Sequence, residues 1–295
     1  MNHDAWTASR RTDVVDRARA WLLSDEMRDL IAQAGGPIPS IDHLQDLRTW
    51  SQHYFDTRHG AERHDTDRFV HPPAVIEALV DAAEPLGLMH TPPATRSAYD
   101  TLVILAGTAT GNRLRTALAH SVLEHVATRS VVALASDREL SPSERTAPSD
   151  VATEWQDLKA CLVAAFGPLR TPSDRSGDPQ DQEFIDDRGQ RLKVTVVPRV
   201  RGQRPTTREQ LRFLNARTPR SDRDAVLIVT SAIYVPYQFF SAAPELLTDT
   251  PHHAEMIGTP TSRTVRDDVS FAQRVAQEIH AAIDAATSLV EHQDP

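Results

Sequence analysis

The chain has 295 residues and a formal net charge of -9, with 41 acidic against 32 basic side chains, a balance that argues against nucleic acid as a partner. Its 40% hydrophobic content is that of a globular protein, enough for one large domain or two small ones. The single cysteine, Cys161, excludes an internal disulfide and any thiolate metal cluster.

The chain opens on polar residues without the basic-then-apolar run of a secretory signal, and no apolar stretch approaches the roughly 18 residues of a membrane span. A cytoplasmic protein with no membrane partner is expected. Arginine outnumbers lysine and alanine is plentiful, a bias associated with high-GC bacterial genomes. Residues 1–96 read as a helical N-terminal region. Val14, Val15, Ala18, Trp21, Leu22, Leu30 and Ile31 fall at helical spacing and predict one helix over Asp13–Ala34, stopped by Gly35-Gly36-Pro37. Leu44, Leu47, Trp50 and Tyr54 predict a second over Ile41–Phe55 with Ser40 as its cap, and Pro72-Pro73 opens a third over Ala74–Leu86, with Gly87 as its stop.

From residue 97 to 295 the pattern alternates. Tyr99–Leu105 is a continuous apolar run of strand length, followed by a glycine turn, a helix over Leu114–Ala127 and a buried strand over Ser130–Ala135. That order predicts a right-handed parallel crossover. Further elements are a helix over Val151–Phe166, strands at Leu192–Val197 and Ala225–Val229 with a helix around Arg208–Asn215 between them, a short strand near Glu255–Gly258 and a helix over Phe271–Leu289. Pro168–Asp187 reads as a surface loop. The fold class is α/β, a Rossmann-like, mostly parallel sheet flanked by helices.

In such sheets ligands bind outside the carboxyl ends of the strands, so polar residues there are the candidates. The first segment is Ala106–Arg113, where Gly107 permits close approach, Thr108, Thr110 and Asn112 add hydrogen-bonding groups and Arg113 adds charge. Its glycines match neither the dinucleotide fingerprint nor a P-loop. The second is Thr230–Gln238, in which Thr230 and Ser231 suit an anion or ribose and Tyr234 and Gln238 suit a base or reacting group. Ser231 lacks the elbow of a serine hydrolase. Arg204, Thr206 and Thr207 lie before a helix and can face the same cleft, and Glu144 is the candidate acid or base beside Tyr234. Each segment also has a plain structural reading as caps, packing or exposed loop. The histidines, His252-His253 and the set His59, His64 and His71, show no ligand spacing, and no metal is expected. The charged run Asp56–Arg63 offers Arg58, Glu62 and Arg63 either as an anion clamp for substrate or as a lock between the helical region and the sheet.

These pieces together resemble the YdcF-like, SanA-like superfamily of Rossmann-like domains, in particular an actinobacterial branch with an added helical N-terminal region. The resemblance rests on Asp56-Thr57-Arg58-His59-Gly60-Ala61-Glu62-Arg63, on Tyr99-Asp100, on Thr206-Thr207 and on Thr230-Ser231-Ala232-Ile233-Tyr234-Val235-Pro236-Tyr237-Gln238. Ala106-Gly107 stands where the branch has two glycines, and Thr206 where it has asparagine. What the resemblance implies is a nucleotide-type ligand, S-adenosylmethionine among the options. The expected function is an enzyme of bacterial secondary or nucleotide metabolism, a transferase or hydrolase acting on a nucleotide-like or anionic small molecule. The alternative is a non-catalytic metabolite-binding or regulatory module. A homodimer is compatible with either.

Overall fold

The computed structural model describes residues 6–57, 70–142, 144, 151–171, 181–199, 204–217, 225–247, 252–262 and 268–292. It is an α/β protein in which a seven-stranded, mostly parallel sheet is covered by helices on both faces. The strands are β1 (Trp6–Ala8), β2 (Ala98–Leu105), β3 (Ala127–Ser136), β4 (Asp181–Ile185), β5 (Arg191–Val197), β6 (Ala225–Ser231) and β7 (His253–Thr259). Their order is β1-β7-β6-β2-β3-β5-β4, with only the edge strands β1 and β4 antiparallel to their neighbours.

The helices are α1 (Arg11–Leu22), α2 (Asp25–Gln33), α3 (Leu44–Phe55), α4 (Pro73–Ala82), α5 (Ala109–Val122), α6 (Glu154–Phe166), α7 (Thr207–Arg217), α8 (Val235–Leu246) and α9 (Asp268–Glu291). Neighbouring residues on each strand enter opposite cores, as the period of two requires. Leu102 and Ile104 pack with Leu158 and Leu162 of α6, whereas Val103 and Leu105 join the cluster of α8, α9 and the N-terminal helices. In that second cluster Trp21, Leu30, Leu47, Phe55 and Leu79 sit with Phe240 and Ile283, so the N-terminal helices and the sheet share one apolar core.

Several elements differ from the sequence expectation. The helix expected over Asp13–Ala34 is two, because Ser24 takes extended backbone and its hydroxyl accepts from Met27 N (3.2 Å), capping α2. The apolar spacing runs across the break because both helices bury their faces in the same cluster. The loop expected over Pro168–Asp187 contains β4. As an edge strand β4 buries only Phe184, and Asp181 pairs with Lys193 of β5 at 2.6 Å, so its composition is that of a loop. Strand β1 was not expected at all: three residues are too short for alternation, and Trp6 is held instead by edge contacts to Phe239 and Phe240 (5.5 and 5.7 Å between ring centroids). Among the described helices none is long and apolar enough to cross a membrane.

Two boundaries position the site. Helix α5 begins at Ala109, five residues before the expected start, with the Thr108 hydroxyl accepting from Gly111 N (3.2 Å). Strand β6 runs to Ser231 and passes through a 3-10 turn, Ala232–Tyr234, into α8. The chain builds outward from β2 through β3 to β5, then returns to lay β6 and β7 on the other side of β2. The direction of travel therefore reverses between β2 and β6, the kind of position at whose carboxyl end ligands bind in such sheets.

Candidate functional site at the carboxyl edge of the sheet

Beside a bonded set of Thr207, Thr230 and Gln238, the residues Gly107, Asn112, Arg204, Ser231 and Tyr234 gather in a polar network around the ends of β2 and β6. Its centre is Arg115, which is 2% exposed. Beyond Leu105 the strand ladder ends and carbonyls must find other donors. Arg115 supplies them: its Nη1 donates to Leu105 O (2.6 Å) and Ala106 O (2.8 Å), and its Nε donates to Ser231 Oγ (3.1 Å). The guanidinium also lies 5.5 Å from the Tyr234 ring centre. A Cβ at position 107 would stand 2.9 Å from Arg115 Nη1, so any larger residue there would displace the guanidinium.

On one side of this centre, Gly107 N donates to Asn112 Oδ1 (2.7 Å), and Asn112 Nδ2 donates to Asp157 Oδ2 (2.7 Å). Burial raises the Asp157 carboxyl, the amide of Asn112 opposes that rise, and the charges of Glu144 and Glu154 add to it. On the other side Thr230 Oγ1 donates to Gln238 Oε1 (2.5 Å), and Gln238 Nε2 donates to Thr207 Oγ1 (3.1 Å). The first turns of α7 and α8 are thus tied to the end of β6.

A chain of charges completes the edge. Glu154, with a fully buried side chain, accepts from Ser136 N (2.9 Å) and Ser136 Oγ (2.6 Å). Its other oxygen lies 2.7 Å from Arg204 Nη2 and 3.7 Å from Arg138 Nη2. Arg204 Nη2 also donates to Ala106 O (3.0 Å), and Arg138 grips Glu144 in bidentate fashion at 2.8 and 3.0 Å. Burial would raise the Glu144 carboxyl, but Arg138 and the Ser141 N–H and hydroxyl outweigh it and bring it down to about 2. Glu144 is therefore a fixed anion in this arrangement. The Tyr234 hydroxyl, on a 6% exposed side chain, accepts from Arg274 Nη2 (2.8 Å).

Three candidates lie at the exposed start of α5: Thr108, Thr110 and Arg113. Arg113 is exposed, and its charge opposes slightly the rise of the Cys161 thiol. Burial, with a contribution from Asp157, pushes that thiol up to about 12, as suits an inert structural cysteine. Thr206 is exposed and bonds Glu209 (2.7 Å from N, 2.9 Å from Oγ1), a helix cap. Arg58, Glu62 and Arg63 lie outside the described residues. Thr57, just before them, accepts from Gln273 and Gln277 of α9, and their neighbour Arg274 bonds Tyr234. His71 packs on Tyr54, and His253 pairs with Glu255 (3.2 Å) at the opposite end of the sheet.

Arg115, Arg138, Glu154, Asp157 and Arg274 were not singled out in the sequence. The signal for Arg115 was present: the inward stripe of α5 is Asn112, Arg115, Thr116 and Ala119, three of them polar residues at core spacing. Beginning the helix at Leu114 hid that stripe.

Comparison with characterised proteins and with solved structures gives no match. Residues 6–87, from β1 through α4 to the turn after it, are similar to the family model described as the Rv3785 N-terminal domain, and the strand-end network lies wholly outside that match.

Proposed function

We propose that the carboxyl edge of the sheet binds a nucleotide-like or other anionic small molecule at the reversal between β2 and β6. The observation that carries this reading is the convergence there of the exposed first turn of α5, with Thr108 and Thr110, on a network containing Arg115, Arg138 and Arg204. Free N–H groups and the dipole at a helix start favour negative charge, and the guanidinium groups behind it raise the local potential. The resemblance of Thr230–Gln238 to the corresponding segment of YdcF-like domains supports a nucleotide-type ligand, with S-adenosylmethionine among those to be tested.

Glu144 is paired in bidentate fashion with Arg138 and lowered to about 2, which makes it a poor general acid or base near neutral pH, and the Tyr234 hydroxyl accepts from Arg274. That observation favours the reading as a metabolite-binding or regulatory module over a hydrolase. A group transfer that needs positioning alone remains compatible with the site.

The test is a thermal-shift screen with S-adenosylmethionine, its demethylated product, nucleotides and sugar phosphates on the full chain and on Thr110→Asp. An added acid in the first turn of α5 favours the helix but repels an anion. A ligand at about 100 times its Kd should stabilise the parent by about 2.7 kcal/mol, and the shift should shrink in the variant while the ligand-free protein melts no lower. Equal shifts in both proteins would place the ligand elsewhere. Mass spectrometry of the incubated hit then separates the classes: product marks a transferase or hydrolase, and unchanged ligand marks the binding module.

A further inference from the structure

Away from the strand ends, a cavity of about 240 Å³ opens where the starts of α1 and α7 meet α8 and the last turns of α9. It exceeds the roughly 150 Å³ apolar cavity that suffices to hold benzene. Tyr237, Pro244 and Leu289 supply an apolar wall with one accessible aromatic ring, backed by Phe240, whose own ring is packed against Trp6 and Trp21 in the core. Pro244 lies inside α8 and has no N–H, so the usual helical donor to the Phe240 carbonyl is missing and that wall keeps a backbone acceptor.

The charged lining is mostly spent. Arg208 Nε bonds Glu245 at 2.6 Å, and Asp284 is held by Arg48 at 2.6 Å. Arg11, exposed at the start of α1, has no ion-pair partner among the described residues. The cavity thus combines a partly aromatic wall with two arginines, of which Arg208 is paired with Glu245 and Arg11 has no ion-pair partner among the described residues, a set of groups that recognises a flat apolar body carrying a single negative charge.

We infer that this cavity is a second binding site, distinct from the strand-end network, for a small aromatic carboxylate. Its ring lies against Tyr237 and Pro244, and its carboxylate meets Arg11. Thr206 and Tyr237 line it while Thr207 and Gln238, the next residues, tie α7 and α8 to β6. An occupant therefore touches the same helix starts that border the strand ends.

The test uses 2-naphthoate and its neutral analogue 2-naphthamide, titrated calorimetrically into the full chain. Naphthoate should bind about tenfold more tightly than the amide, the worth of a charge-assisted hydrogen bond, and Arg11→Ala should bring the two to parity. Ala285→Trp, which fills the cavity from α9, should abolish binding of both. Thr110→Asp, at the strand ends, should leave both affinities unchanged. If Ala285→Trp folds poorly, the Arg11→Ala comparison decides alone. No preference for the carboxylate in the parent chain, a preference that survives Arg11→Ala, or loss of binding in Thr110→Asp would each overturn the assignment.

Discussion

Replacing Glu154 by alanine should strongly destabilise the protein, because this carboxylate holds the carboxyl edge together. Its side chain is fully buried, while Arg138 and Arg204 beside it are 15% and 26% exposed. Removing one member of a buried ion pair costs about 3–5 kcal/mol when the other is left uncompensated. Partial solvation of Arg204 lowers that figure, and the stranded donors of Ser136 add about 1–3 kcal/mol, so about 3–5 kcal/mol overall is expected. At about 2 °C per kcal/mol for a chain of this size, the melting temperature should fall by about 6–10 °C. Glu154→Gln keeps an acceptor for Ser136 but loses the charge, and should fall between parent and alanine variant. A double-mutant cycle of Glu154→Gln with Arg204→Gln, followed by denaturant unfolding, should return a coupling of at least about 1 kcal/mol. A melting shift under about 2 °C for the alanine variant, or a coupling near zero, would refute the view that Glu154 organises this edge.

Three further outcomes follow from the same geometry. Glu144 has its carboxyl lowered from 4.5 to about 2 in the fold, so its contribution, of order 2–3 kcal/mol, is present above about pH 4.5 and is lost as pH falls toward 2. The stability gap between the parent and Glu144→Gln should therefore close over that window, and a gap constant from pH 6 to about pH 2.5 would contradict the Arg138 pairing. Gly258→Ala should cost several kcal/mol by thermal melting, since a Cβ there would stand 2.4 Å from Ala232 N and 2.7 Å from the Ser231 carbonyl carbon, both backbone. A near-neutral result would show that the β6 end sits further from β7 than described. Cys161, with its thiol near 12, should react with a thiol reagent at pH 8 far more slowly in the folded than in the urea-unfolded protein. Similar rates in both states would remove the buried environment assigned to it.

Much of this fold is legible because its inner strands are buried on both faces. Leu102–Leu105 and Leu227–Val229 are unbroken apolar runs, and such runs read as parallel core strands without further help. The edge strands carry no such mark: β4 has one buried apolar side chain and β1 spans three residues. Hydrophobic period likewise passes over the α1–α2 break, where a serine cap and not a change of face ends the helix.

The site was legible as a position and only partly as chemistry. Gly107, Asn112, Thr230 and Ser231 became candidates because polar residues after apolar strands stand out, and the structure brings them to one edge of the sheet. Thr230–Gln238 gave no sign that its side chains would be occupied by Thr207, Arg115 and Arg274, which lie 23 or more residues away along the chain. Glu144 illustrates the same point: its role as an anion is set by Arg138, six residues back, and by backbone geometry that no spacing rule encodes.

The central claim is that a small anionic or nucleotide-like molecule seats between the ends of β2 and β6. A crystal structure of the full chain with the tightest ligand from the thermal-shift screen tests it most directly. The account predicts ligand atoms within hydrogen-bonding distance of the first turn of α5, at Thr108 or Thr110, and of at least one of Ser231 and Arg204. A ligand bound at the amino ends of the strands, near Tyr99 and Glu255, or only in the cavity bordered by Arg11, would contradict it.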